Sequence, residues 1–267
     1  MKLLFSEQPS NYGNYSFPYA IWAVPEAGET PADLFRAGFL PSSHQLDRFY
    51  LCRQIRVNLA QFELSTENRR ILRKGRDFKV ELLPRAQFDY TPARRQFFKA
   101  YADAKFGPDV MSLDRLDSLF ANPVISHVLV FTDGVTGAEA GVAALYLEGA
   151  ALAYYYYAFY DLHHPVRSLG MFMMTAAVEL FAGRGCAWLH LGTCYSDSAR
   201  YKTQFAGAEF FNGYRWSSRL DELKHLLARD QSPAREHLLE SPEYRAAFCP
   251  GGLPEMTAAS AFQVRVK

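Results

Sequence analysis

The chain has 267 residues, enough to bury a substantial core as one large domain or two small ones. With 49% apolar and 21% charged residues it reads as globular, and a net charge of +1 excludes a globally basic polyanion binder, so any such site is local. Cys52, Cys186, Cys194 and Cys249 stand far apart without a C-x-x-C pair, which argues against a zinc ribbon or disulfide framework and predicts reduced thiols in the cytoplasm.

In chain order, MKLLFSEQPS is too short an apolar run for a signal peptide. The stretch to Pro31 reads as irregular around one apolar run, Tyr19 to Val24. Thr30-Pro31 opens a short helix ending near Gly38. A strand is expected over Gln54 to Phe62, and Ser65 opens a basic helix over Arg69 to Arg76. Helical spacing of Phe97, Phe98 and Tyr101 predicts a helix from Thr91 to Phe106, with another over Asp109 to Phe120. Strands follow at Val124–Thr132, Gly141–Leu147 and Leu152–Tyr160, separated by turns at 133–137 and 149–150. Next come a helix over Ser168–Phe181, a strand over Ala187–Leu191, a short helix at Ser198–Phe205, a strand over Glu209–Trp216, and a helix over Leu220–Ala228 before the tail. The apolar run MFMMTAAVELFAG is broken by Glu179, so no membrane span is expected.

Hairpin, strand, helix, strand, helix, strand is the order of the GNAT acyltransferase core, an α+β fold with a mixed sheet flanked by helices. The expected division is an N-terminal subdomain (1–85), a GNAT-like domain (86–220) and a C-terminal helix and tail (221–267). The stretch from Tyr154 to Lys202 is its centre: an aromatic strand, a polar loop and an apolar helix whose first amides face whatever the loop admits.

Several strings are similar to the arginyl-tRNA–protein transferase family, including its bacterial leucyl branch acting on N-terminal Asp or Glu. Cys52-Arg53-Gln54-Ile55-Arg56-Val57 resembles the family's Cys-x-x-x-Arg-Val, and Phe62 through Arg70 resembles its Phe-x-x-Ser-x-x-x-Arg-Arg. Phe159-Tyr160-Asp161 with Ser168-Leu169-Gly170 resembles its Phe-Tyr-Asp…Ser-Leu-Gly. Leu191-Gly192, Tyr201-Lys202, Phe205, Glu209, Gly213 and Trp216 follow in the family's order. The family's early cysteine pairs are missing, so metal or iron–sulfur regulation tied to them is not expected. The resemblance implies transfer of an amino acid from aminoacyl-tRNA to an amine, the N-terminus of a protein or peptide, with no cofactor beyond the charged tRNA.

Such chemistry needs positioning, oxyanion stabilisation and protonation of the leaving oxygen, not a covalent nucleophile. Tyr160, Asp161 and Lys202 are the catalytic candidates. Tyr160 offers a phenol to the leaving oxygen, Asp161 an anchor or water-mediated base, and Lys202 with Tyr201 charge and stacking for the terminal adenosine. For the donor, Arg69 and Arg73 share a helix face beside Arg70, giving a local positive patch, though solvated basic helices are common. Arg56, Ser65, Arg167, Ser168, Gly170 and Gly192 complete the donor set. Phe172 stands where an acyl-CoA pyrophosphate loop carries a small residue, which weakens the alternative, a CoA-dependent N-acetyltransferase. His163-His164 lacks carboxylates at ligand spacing, so no metal site is expected. Cys194 is read as structural ahead of a nucleophile partnered by His190 or His164.

Overall fold

Two sheets carry the chain in the computed structural model, which describes residues 1–7, 19–231 and 238–262. In the small sheet, β1 (Lys2–Glu7) pairs antiparallel with β2 (Tyr19–Val24), and β3 (Phe39–Pro41) and β4 (Phe49–Leu51) complete the order β1-β2-β4-β3. The hairpin replaces the irregular structure expected before Pro31. Its first strand is exposed along Leu3, Leu4 and Phe5, so it carries no half-buried alternation to read. Between β2 and β3 lies α1 (Pro31–Arg36), started as the sequence predicts: Thr30 N–H donates to the Asp33 carboxylate at 2.9 Å.

The chain then enters the large sheet with β5 (Gln54–Asn58) and leaves it for α2 (Thr66–Lys74). Ser65 Oγ accepts from Asn68 N–H at 3.0 Å and Asn68 Oδ1 from Ser65 N–H at 3.2 Å, a reciprocal cap. β6 (Phe78–Pro84), not foreseen in the sequence, forms one edge of the sheet. Next come α3 (Pro92–Phe106), α4 (Leu113–Ala121), β7 (His127–Asp133), β8 (Glu139–Glu148), β9 (Leu152–Tyr160), α5 (Leu169–Gly183) and β10 (Trp188–Thr193). A 3₁₀ segment over Asp197–Thr203 leads to β11 (Ala208–Phe211) and β12 (Trp216–Ser217). The expected strand 209–216 breaks here, because Asn212 N–H turns back to Arg215 O and Gly213 takes φ +111°. Helices α6 (Leu220–Asp230), α7 (Pro242–Phe248) and α8 (Gly252–Ala259) close the described chain.

The large sheet runs β12-β11-β5-β10-β9-β8-β7-β6, with β9 and β10 parallel and its other neighbours antiparallel. This is the mixed, helix-flanked sheet that the element order implied. α5 is apolar nearly all round and buries Met173, Ala177, Val178 and Phe181 against Leu129, Phe131, Ala143 and Leu145. On the other face Phe98 and Phe120, from α3 and α4, pack on Val128, Val142 and Phe159. Phe35 and Phe49 cover Tyr146 and Tyr154 farther along. Strands from both sides of the expected division at residue 85 share this sheet, and Leu226, Tyr244 and Phe248 join its main core. The core therefore does not divide at 85 or at 220.

Candidate active site at the splay of two parallel strands

β10 pairs with β9 only from Trp188 to His190. The register then shifts, Gly192 takes φ +81°, and β10 continues beside β5 alone, pairing Gly192 with Ile55 and Thr193 with Gln54. β9 stays with β8 as far as Tyr160. The two strands therefore splay, leaving backbone groups of both edges without a strand partner. A cleft of about 740 Å³ fills the gap. Glycine is needed at 192, since L side chains disfavour that φ.

Five of the sequence candidates meet in this cleft: Tyr160, Gly170, Gly192, Tyr201 and Lys202. Lys202 Nζ donates to Thr193 O at 2.8 Å, and among the described residues no carboxylate pairs with it. Burial pushes its ammonium below the usual lysine range. Gly170 sits in the first turn of α5 and a Cβ there would come within 2.6 Å of the Tyr160 ring and hydroxyl, so the missing side chain is what lets that phenol lie against the helix. The Tyr101 ring backs Tyr160 at 4.8 Å. Ser168, at φ 68° and ψ 36°, makes no side-chain cap, and Met171 and Phe172 N–H both return to its carbonyl. The earlier amides of α5 have no intrahelical acceptor and bear the positive end of the helix dipole.

The remaining candidates lie elsewhere. Asp161 does not line the cleft: its Oδ1 accepts from His163 N–H at 2.8 Å and shapes the β9–α5 loop. Arg167 and Ser168 are exposed on that loop before α5. Arg56 is buried, not facing a donor; its guanidinium lies between the Trp188 and Trp216 rings at 3.6 and 3.7 Å and donates twice to Glu209 Oε2. Glu209 is thereby engaged as a structural partner. Ser65 is committed to its cap, and exposed Arg70 pairs with Glu67. Arg69 and Arg73 are exposed on α2. The end of that helix does adjoin α5, for a Cβ on Gly75 would collide with the Phe172 ring. Gly75, within the basic run that holds Arg73, Lys74 and Arg76, thus stands by the first turn of α5. Phe172 itself is core, packed on Phe78 and Phe131.

His190 is buried, bonded to Gln54 Oε1 at 2.8 Å, and held neutral by burial. Burial likewise raises the Cys194 thiol, which opposes thiolate chemistry. His164 Nε2 meets Asp133 Oδ2 at 3.2 Å, fastening the loop to the β7–β8 turn. Among the described residues no group of three His, Cys, Asp or Glu stands ready to hold a metal ion, and no helix is long and apolar enough to cross a membrane.

Several lining residues were not singled out in the sequence: Lys105 and Tyr101 from α3, Leu40 and Tyr50 from the small sheet, and Met171 and Met174 from α5. Only tertiary packing brings them together, and none carries a motif. Among the described residues, eight tyrosines and two lysines line the cleft, and no carboxylate does.

No protein-family model matches the chain. Among curated proteins it is 26% identical over 185 residues to an aspartate/glutamate leucyltransferase of Methylobacterium sp. (strain 4-46), covering 62% of this chain and 71% of that one. It is 28% identical over 225 residues to the same-named enzyme of Alkalilimnicola ehrlichii, covering 76% and 92%. For that of Sphingopyxis alaskensis the figures are 27% over 175 residues, covering 62% and 67%. Solved structures sharing part of the fold include L-PGS from Bacillus licheniformis (TM-score 0.39, 14% identity, 54% of this chain and 46% of that one) and FemX (TM-score 0.39, 10% identity, 53% and 52%). The chain's curated relatives are thus aspartate/glutamate leucyltransferases, the bacterial branch of the family that its own strings resemble.

Proposed function

We propose that the chain is an aminoacyltransferase that moves an amino acid from aminoacyl-tRNA to the N-terminal amine of a protein or peptide. The observation that carries this reading is the splay of β9 and β10, an open cleft with the first turn of α5 and the Lys202 ammonium, held by Thr193 O, at its edge. The names of the relatives supply the transferred group, leucyl, and the acceptor residues, aspartate and glutamate; the charged-tRNA donor is what the sequence resemblance implies.

The ester carbonyl lies between the strand edges, where Lys202 meets the developing oxyanion. Tyr160 or Tyr201 gives a proton to the leaving ribose oxygen, and the exposed Tyr201 ring stacks on the terminal adenosine. Phosphates of the tRNA end approach the amides of α5 with Arg167 and Arg73. Met171, Met174 and Leu191 supply apolar walls and among the described residues no carboxylate lines the cleft, which suits a leucyl-type side chain better than an arginyl one. The reaction needs no cofactor beyond charged tRNA, and that donor places it in the cytoplasm.

The test is transfer of radiolabelled leucine from leucyl-tRNA to peptides beginning with Asp or Glu. Absence of transfer from any charged tRNA refutes the proposal. A second reading, acyl-CoA-dependent N-acetylation, draws on the same splay and helix N-terminus. Thermal stabilisation by acetyl-CoA but not by tRNA reverses the order.

A further inference from the structure

The cleft reaches both faces of the large sheet. Tyr155 and Met174 belong to the core beneath α5, whereas Tyr154 and Tyr50 belong to the core under the small sheet and Tyr157 packs with that of α3 and α4. Strict alternation would send Tyr156 and Tyr157 to opposite faces. The β8–β9 register prevents it: Ala144 pairs with Tyr157 and the next residue, Leu145, with Tyr155, so Tyr156 is the extra residue of a β-bulge. The Tyr156 and Tyr157 rings then lie 4.5 Å apart, with Tyr154 5.0 Å from Tyr156.

We propose that this tyrosine-lined face, away from α5, is the acceptor port, and that it makes the acceptor amine nucleophilic by desolvation instead of by a protein base. The inference rests on the aminoacyl-transfer reading. A carboxylate in the port would hold the amine as ammonium, the unreactive form; desolvation among the tyrosines and the nearby cations favour the neutral form, against the attraction of the ring faces for a cation. The titratable and charged groups around the port are Tyr50, Cys52, Tyr101, Tyr154, Tyr156 and Tyr157 with the cations Lys105 and Arg115, and behind Tyr50 stands Tyr195 with Asp230, a carboxylate already paired with Arg53. Burial keeps the phenols of Tyr50, Tyr154 and Tyr156 protonated, and pushes the Cys52 thiol up to about 12. The ammonium leaves one proton in solvent on entering. Its nitrogen then attacks the ester carbonyl, the C–N bond forms and the C–O bond to ribose breaks; the Tyr160 or Tyr201 phenol gives its proton to the ribose oxygen and regains one from the amine nitrogen. Amide and free hydroxyl are the products.

The test is the pH profile of kcat, which reports the bound complex, with two peptide acceptors whose amines differ in basicity. The expected acid limb lies at least about one pH unit below the free α-amine value of about 8 and follows the basicity of the acceptor. Tyr157→Glu moves that limb up by about one unit relative to Tyr157→Gln, while KM for charged tRNA stays within about twofold. A wild-type limb at or above the free-amine value, or one indifferent to the acceptor, overturns the port. So do coincident profiles for the two variants. If the variants do not fold, the wild-type profiles decide alone. Wild-type protein that transfers from no charged tRNA removes the functional reading and the port together, whereas transfer with a misplaced limb removes only the port.

Discussion

Replacing Lys202 with Met separates catalysis from stability at one residue. The ammonium sits beside the splay with one hydrogen bond, to Thr193 O at 2.8 Å, and no carboxylate partner among the described residues. Its pKa is lowered by desolvation, which outweighs the opposing attraction of Cys194. The sign follows by linkage. Below the depressed value both folded and unfolded states carry the proton and the whole cost is present. As pH rises through that value the folded state sheds the proton first, and the cost disappears by the ordinary lysine value. At neutral pH, Lys202→Met therefore keeps or gains stability, and a gain of 1 kcal/mol in a chain of this size appears as roughly 2–4 °C in Tm. Activity moves the other way. Loss of one preorganised donor to an oxyanion costs about 3–4 kcal/mol, or roughly 10²–10³ in kcat. Single-turnover transfer from charged tRNA, with thermal melts of the same preparation, measures both. Turnover within about threefold of wild type refutes the oxyanion role. A Tm that falls in step with activity makes Lys202 a structural residue.

Gly170→Ala drives a methyl into the Tyr160 phenol and is expected to cost about 1–3 kcal/mol in denaturant melts, with a larger fall in kcat than in charged-tRNA affinity. Arg56→Met leaves Glu209 unpaired near two indoles and destabilises by about 3–5 kcal/mol, while adding Glu209→Gln restores most of the Tm. Neutralising Arg73, Lys74 and Arg76 to Gln leaves Tm unchanged but weakens tRNA binding; the slope of log K against log salt flattens by roughly 0.7–0.9 for each phosphate that these side chains neutralise in the wild type. An unchanged slope places the tRNA elsewhere.

Much of the fold was legible because its elements are locally marked. β9 and α3 announce themselves by an aromatic run and by helical spacing, and Thr30, Ser65 and Thr91 stand at helix starts that the structure caps with side chains or carboxylates. β6 was not legible: it is only partly buried, and pairing with β7 over Phe78–Pro84 is what makes it a strand. The place of β5 between β10 and β11 was hidden too, since register across more than 100 residues leaves no local trace. The site divides along the same line. Gly170, Gly192, Tyr201 and Lys202 were reached because they stand in short strings around the loop and strand ends. Arg56 was misread because an arginine in a resemblance motif looks alike whether it meets phosphate or is stacked between Trp188 and Trp216, and only burial tells these apart. Lys105, Tyr50 and Leu40 come to the cleft from separate layers, so no spacing in the chain links them.

The absence of a carboxylate among the described residues that line the cleft is consistent with the proposed chemistry at each step. An aminoacyl ester is already activated, so the protein gains little from a strong base and much from holding two substrates on either side of a gap. Asp161, the one acidic candidate near the loop, is instead spent on the His163 amide, and Asp133 on His164, which together fix the path into α5. A carboxylate left free in the cleft would bind the acceptor amine in its charged form and would offset the positive end of α5 that the donor phosphates need. Its exclusion favours anionic donor and neutral nucleophile at once. Introducing an acid at Tyr157 therefore perturbs the amine more than the tRNA, which is the asymmetry the proposed port requires.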